Sequence, residues 1–87
     1  MATTVFLVAG CAAETVLQPT PGGFQFQGFA NNLMPIDTAE GEATRIRFLE
    51  ERLEQNGLCP AGYEIVDRQA EFVGGASWRV YYSGQCL

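Results

Sequence analysis

Histidine and lysine are both absent from this chain of 87 residues, and it contains no long apolar run. Without histidine it lacks the commonest general base and metal ligand, and with it the Ser-His and Cys-His nucleophile systems. Cys59 and Cys86 stand too far apart for a zinc site, and neither begins a Cys-x-x-Cys redox motif. No glycine-rich loop precedes a helix to cradle phosphate. Gly22-Gly23 is too short, and Gly74-Gly75 falls in a turn. Paired carboxylates hydrolyse glycosides only across a cleft about 5–9.5 Å wide, and a domain this small has little room for one. The expectation is a protein that is not an enzyme and that uses no cofactor and no metal.

Positive charge is scarce as well. Five arginines face ten acidic residues, for a formal charge of −5. Nucleic acid binding needs a basic stripe to displace counterions, so no nucleic acid partner is expected. Docking on anionic lipid through a polybasic patch is excluded on the same ground. No stretch approaches the ~20 apolar residues that span a bilayer. A chain this short forms one domain, buries about 60% of its unfolded surface and is marginal without a staple. At 47% hydrophobic and 17% charged, it is globular in composition.

The run Val5-Phe6-Leu7-Val8 leads into Ala9-Gly10-Cys11. An apolar stretch closing on two small residues and a cysteine resembles the lipobox of bacterial lipoproteins. The resemblance implies that residues 1–10 are a truncated signal segment and that Cys11 is lipidated as the first mature residue. The membrane would then be reached only through lipid on Cys11. Acyl chains contribute ~0.8 kcal/mol per buried methylene, and stable anchoring takes more than one chain. The implied address is the bacterial cell envelope, facing the periplasm. Ala12, where related enteric lipoproteins of the inner membrane carry aspartate, leans toward the outer membrane. Signal segments open with basic residues, whereas the first basic residue here is Arg45. The alternative makes Thr4–Ala9 a buried strand. Cys11 is then a small core hydrophobe or the reactive thiol of a cytosolic protein.

If Cys11 carries lipid, Cys59 and Cys86 remain as an even pair in an oxidising compartment, where such pairs form disulfides. Closing that loop stabilises by about 3.5 kcal/mol in the chain-entropy account. In the alternative, all three cysteines stay reduced.

Along the chain, residues 11–23 read as a tether leading into a single α+β domain over 24–87, punctuated by Pro19, Pro21 and Gly22-Gly23. Phe24 to Gln27 alternate apolar and polar, the period of a half-buried strand. Gly28 reads as a bulge or the strand's end, and Asn31 to Pro35 as a loop. A helix is expected over about Thr38–Gln55. Asp37 is its N-cap and Glu40 completes a capping box. Ala39, Ala43, Ile46, Leu49 and Leu53 share one face. Asn56-Gly57 ends the helix, placing Leu58 against Leu53 as in a Schellman cap. Phe48 lies opposite that stripe, so it is either covered by another element or part of an interface.

Cys59-Pro60-Ala61-Gly62 makes a turn. Tyr63 to Arg68 is a strand, with a second apolar stretch at Ala70, Phe72 and Val73. Gly74-Gly75 turns the chain, and Trp78, Val80 and Tyr82 alternate along the returning strand. That hairpin brings Tyr63 close to Cys86, which makes a bridge to Cys59 plausible. The expected architecture is two-layer α+β, with one helix on a small antiparallel sheet, order β-α-β-β, and a C-terminal hairpin.

Cys59-Pro60-Ala61-Gly62-Tyr63 after a helix, with a cysteine near the C-terminus, is similar to a pattern in small envelope lipoproteins of bacteria. The similarity covers residues 37–86 and implies a structural disulfide, a turn and a strand start. The expected function is that of a non-catalytic envelope lipoprotein domain acting by contact with another envelope protein or the cell wall. Phe48 and Tyr81 are its candidate contact residues. A small-ligand-binding or inhibitory domain, with a pocket between helix and sheet, is the alternative.

Overall fold

Four antiparallel strands carry one helix on one face, as a computed structural model describing residues 15–87 shows. The elements are β1 (Val16–Thr20), β2 (Gly23–Ala30), α1 (Ala39–Gln55), β3 (Tyr63–Gly74) and β4 (Ser77–Cys86). Their order in the sheet is β1-β2-β4-β3. The two-layer α+β architecture and the C-terminal hairpin are those expected. The 1–10 segment, Cys11 and the alternative strand Thr4–Ala9 lie outside the described residues.

The sheet has one strand more than the sequence pattern indicates. Residues 16–20, read as part of the tether, pair with β2 from Val16 opposite Gln27 to Thr20 opposite Gly23. Pro19 concealed this strand, since proline cannot donate to a ladder and is confined to sheet edges. β1 is such an edge. β2 also runs on through Gly28 to Ala30, pairing throughout with β4.

Phe24, Phe26, Val80 and Tyr82 point from the two central strands toward α1, where they meet Leu49 and Leu53. Alternation along β2 and β4 puts these residues on one face, and the helix closes it. Leu49, Val80 and the rings of Phe24, Phe26 and Tyr82 pack between helix and sheet, and an open groove of about 320 Å³ lies beside the C-terminal half of α1, lined by Glu50, Leu53, Leu58 and Tyr63 among others.

The helix begins one residue later than expected. Thr38, not Asp37, is the N-cap, and its hydroxyl accepts from the Gly41 backbone N–H at 3.0 Å. Glycine at that third position leaves no capping box. The other end follows the expected Schellman pattern. Gly57 takes a positive φ of 65°, and the Leu58 N–H donates to the Leu53 carbonyl at 2.9 Å.

The buried face of α1 also differs from the apolar stripe. It carries Gly41, Arg45, Leu49 and Leu53, whereas Ala39 and Ala43 are exposed. At about 100° per residue, this face centres on Arg45 and Leu49, with Phe48 and Ile46 at its two margins. Phe48 is thus covered, its ring stacking on Phe29 with centroids 6.1 Å apart.

β3 is a single strand rather than two stretches. It is interrupted by register shifts between Ile65 and Asp67 and between Phe72 and Gly74. The shift at Val66 leaves that side chain exposed and returns Arg68, Ala70 and Phe72 to the helix side, opposite Tyr82, Val80 and Trp78. The turn lies at Gly75-Ala76, one residue beyond the expected Gly74-Gly75.

Candidate contact face and its supporting network

Beneath the helix lies a polar network that sequence patterning placed in solvent. Arg45 is 0% exposed and the largest fully buried side chain. Its Nε donates to the Tyr82 hydroxyl at 3.2 Å, and Nη1 donates to the Met34 carbonyl at 3.1 Å. Nη2 donates to Glu42 Oε1 at 3.1 Å. That same oxygen accepts from the Tyr82 hydroxyl at 3.0 Å and from Arg68 Nη2 at 3.2 Å. Arg68 also lies over the Tyr82 ring, 5.9 Å from its centroid. Every buried side-chain polar atom among the described residues has a partner, which is what makes a buried charge tolerable.

One glycine makes room above Arg45. A β-carbon at Gly41 would collide with the Pro35 carbonyl oxygen, so its absence lets the 31–37 loop close over the guanidinium. A β-carbon at Gly28 would press on the Phe26 ring while meeting the Arg45 methylenes at ordinary contact distance.

Electrostatics follow this geometry. Burial raises the Glu42 carboxyl, but hydrogen bonds from Tyr82 and Arg45 and the charge of Arg68 outweigh it, holding the group below its ordinary value. Burial pushes the Tyr82 hydroxyl up, and Arg45 and Arg68 only partly oppose this. At the other end of the helix, burial and a 2.8 Å hydrogen bond to Glu50 push the Tyr63 hydroxyl up to about 12.

The disulfide pins the opposite corner. Cys59 and Cys86 are bridged, with Cα atoms 4.7 Å apart, and Tyr63 lies directly across from Cys86. The bridge ties the turn after α1 to the end of β4.

Among the described residues, no element covers the sheet face away from the helix. Strand register arranges its side chains in transverse rows. Gln18, Gln25, Ser83 and Asp67 form one row, and Val16, Gln27, Tyr81 and Gln69 the next. Between them runs an open groove of about 390 Å³ lined by these residues. Its walls are amides, hydroxyls, one carboxylate, the Tyr81 ring and the aliphatic side chain of Val16. Gln69 Nε2 donates to Asp67 Oδ2 at 3.2 Å, and the Tyr81 hydroxyl to Glu71 Oε1 at 3.0 Å. Burial and that bond to Glu71 raise the Tyr81 hydroxyl. The groove thus presents amide and hydroxyl groups beside the Asp67 carboxylate, placed by backbone pairing and suited to hydrogen-bonded contact.

Of the two candidate contact residues, Tyr81 lies on this face, 37% exposed. Phe48 belongs to the helix layer, against Phe29. The glutamines around Tyr81 were not singled out in the sequence, although Gln25 and Gln27 alternate there with Phe24 and Phe26.

Comparison with known proteins finds no matching family model, no similar curated protein and no matching solved structure. The site's chemistry carries the functional reading. Among the described residues, no helix is long and apolar enough to cross a membrane, and no cluster of side chains could hold a metal ion.

Proposed function

We propose that this chain is a non-catalytic contact domain of the bacterial cell envelope, carried on lipid at Cys11 and facing the periplasm. It engages an envelope protein or the cell wall through the uncovered face of its sheet. The observation that carries this reading is the asymmetry of the sheet. One face is closed by α1 over a filled core, while the other holds the groove bounded by Gln25, Gln27, Gln69 and Tyr81. An antiparallel sheet with one solvated face is ordinary, but this face bears ordered amide rows and only one formal charge along its groove, that of Asp67. The Cys59–Cys86 bridge supports an oxidising compartment.

The test is intact mass and membrane fractionation of the chain expressed in a bacterial host behind a complete signal segment. A membrane-bound species beginning at Cys11, with added acyl mass and two fewer hydrogens, is the expected product. A soluble, unprocessed chain with three free thiols overturns the envelope reading.

A further inference from the structure

The two edges of the sheet are built differently. β1 is a short strand of 5 residues that contains Pro19, a protected edge. β3 is 12 residues long, contains no proline and, among the described residues, pairs only with β4. Its two register shifts fall near Val66 and Val73 and bracket an unbroken ladder from Asp67 to Phe72. The outer edge of that ladder offers free backbone donors and acceptors to a further strand. Phe72 is 57% exposed beside it, held edge-on against Trp78.

We propose that β3 pairs with β3 of a second copy of this chain, antiparallel about a twofold axis, joining the sheets into one of twice the width. A twofold axis normal to the sheet requires one residue to face its own copy. Otherwise helix-side residues would meet residues of the opposite face. Charge then selects the register. Centring on Asp67, Arg68 or Glu71 sets like charges opposite each other, and centring on Gln69 sets Asp67 against the partner's Glu71. Centring on Phe72 runs out of strand at the turn. Centring on Ala70 avoids all of these. Arg68 then faces the partner's Phe72, a cation–π pairing that occurs twice. Gln69 faces the partner's Glu71, and the small Ala70 side chains meet at the axis. Arg68 is already steered by Glu42, and Glu71 by Arg79 and Tyr81. At a net charge of −5 the copies repel at long range, so added salt strengthens the pairing.

Sedimentation velocity over a concentration series tests this, using the full chain with Cys11→Ser so that no intermolecular disulfide mimics the dimer. A dimer that grows with concentration and with salt is expected. Ala70→Lys and Ala70→Glu change an exposed side chain, and unchanged far-UV dichroism will show that each still folds. Each substitution weakens the dimer about fivefold by setting like charges at the axis. Mixed together, the two variants recover a dimer at least as tight as the parent. Monomer at every concentration overturns the proposal. So does a mixture that fails to recover, or an Ala70→Glu variant that dimerises more tightly alone, since that outcome places Arg68 opposite it.

Discussion

Arg45 and Tyr82 meet at the centre of the molecule, the Arg45 Nε donating to the Tyr82 hydroxyl at 3.2 Å, helix to central strand. The contact joins the two layers at a point where neither side chain reaches water. Through Glu42 it also reaches Arg68 on the outermost strand. The network therefore ties α1 to β4 and, through Glu42, to β3.

Arg45→Ala removes the stem that fills the layer and the donors to Met34, Phe29 and Tyr82, and should cost about 3–5 kcal/mol. Arg45→Met keeps the volume, leaves those acceptors unpaired and should cost about 1–3 kcal/mol. Equilibrium urea unfolding of both variants checks the order. A methionine variant as damaging as the alanine one would make hydrogen bonding, not packing, the larger contribution.

Gly41→Ala should destabilise, against helix propensity. Alanine gains up to ~1 kcal/mol in a helix interior. The added methyl, however, displaces the Pro35 carbonyl and loosens the loop over Arg45, an overpacking cost of about 1–3 kcal/mol. Thermal unfolding decides between them. A raised midpoint would show that the loop yields freely.

Stability should depend on pH at both extremes. The Glu42 carboxyl is depressed below its ordinary 4.5 in the folded state. Its contribution is present above pH 4.5 and is lost as pH falls through the lower, folded value. Tyr63 is shifted the other way, from 10.0 up to about 12. Its contribution is complete below pH 10.0 and is lost as pH rises toward 12. Glu42→Gln should flatten the acid limb of a stability–pH profile, and Tyr63→Phe the alkaline limb. An acid limb left unchanged by Glu42→Gln would place the responsible group elsewhere.

Cys59→Ser, Cys86→Ser and the double variant should each lose about 2–5 kcal/mol, and by the same amount, because one bridge is broken in all three. In the native recombinant chain without lipid, alkylation should label one thiol before reduction and three after it. Three thiols labelled before reduction would mean that the bridge does not form.

The parts of this fold legible in the sequence are those with local causes. Gly57 and Leu58 mark the helix stop because a Schellman cap needs only neighbouring residues. The alternation through Trp78, Val80 and Tyr82 reveals the returning strand because half-burial has a period of two. Residues 16–20 were illegible as a strand because Pro19 and the glycine turn read locally as punctuation, and pairing with β2 is what overrides them. The helix face was misplaced for a different reason. An apolar pattern cannot count Arg45 as interior. Glu42 stands one turn away on the same helix, but Tyr82 and the carbonyls of Phe29, Met34 and Pro35, which complete its partners, are brought in by the fold. The groove was hidden for the same reason as the network. Gln18, Gln27 and Gln69 become neighbours only through a strand order that no one segment contains.

The contact face is the central claim, and site-specific photo-crosslinking tests it most directly. A photoreactive side chain would replace Gln27 on the open face or Glu51 on the exposed side of the helix, in the full chain expressed in a bacterial envelope. The account predicts a discrete adduct, with an envelope protein or with cell-wall material, from position 27 and none from position 51. Adducts from position 51 alone, or the same ones from both, would contradict it.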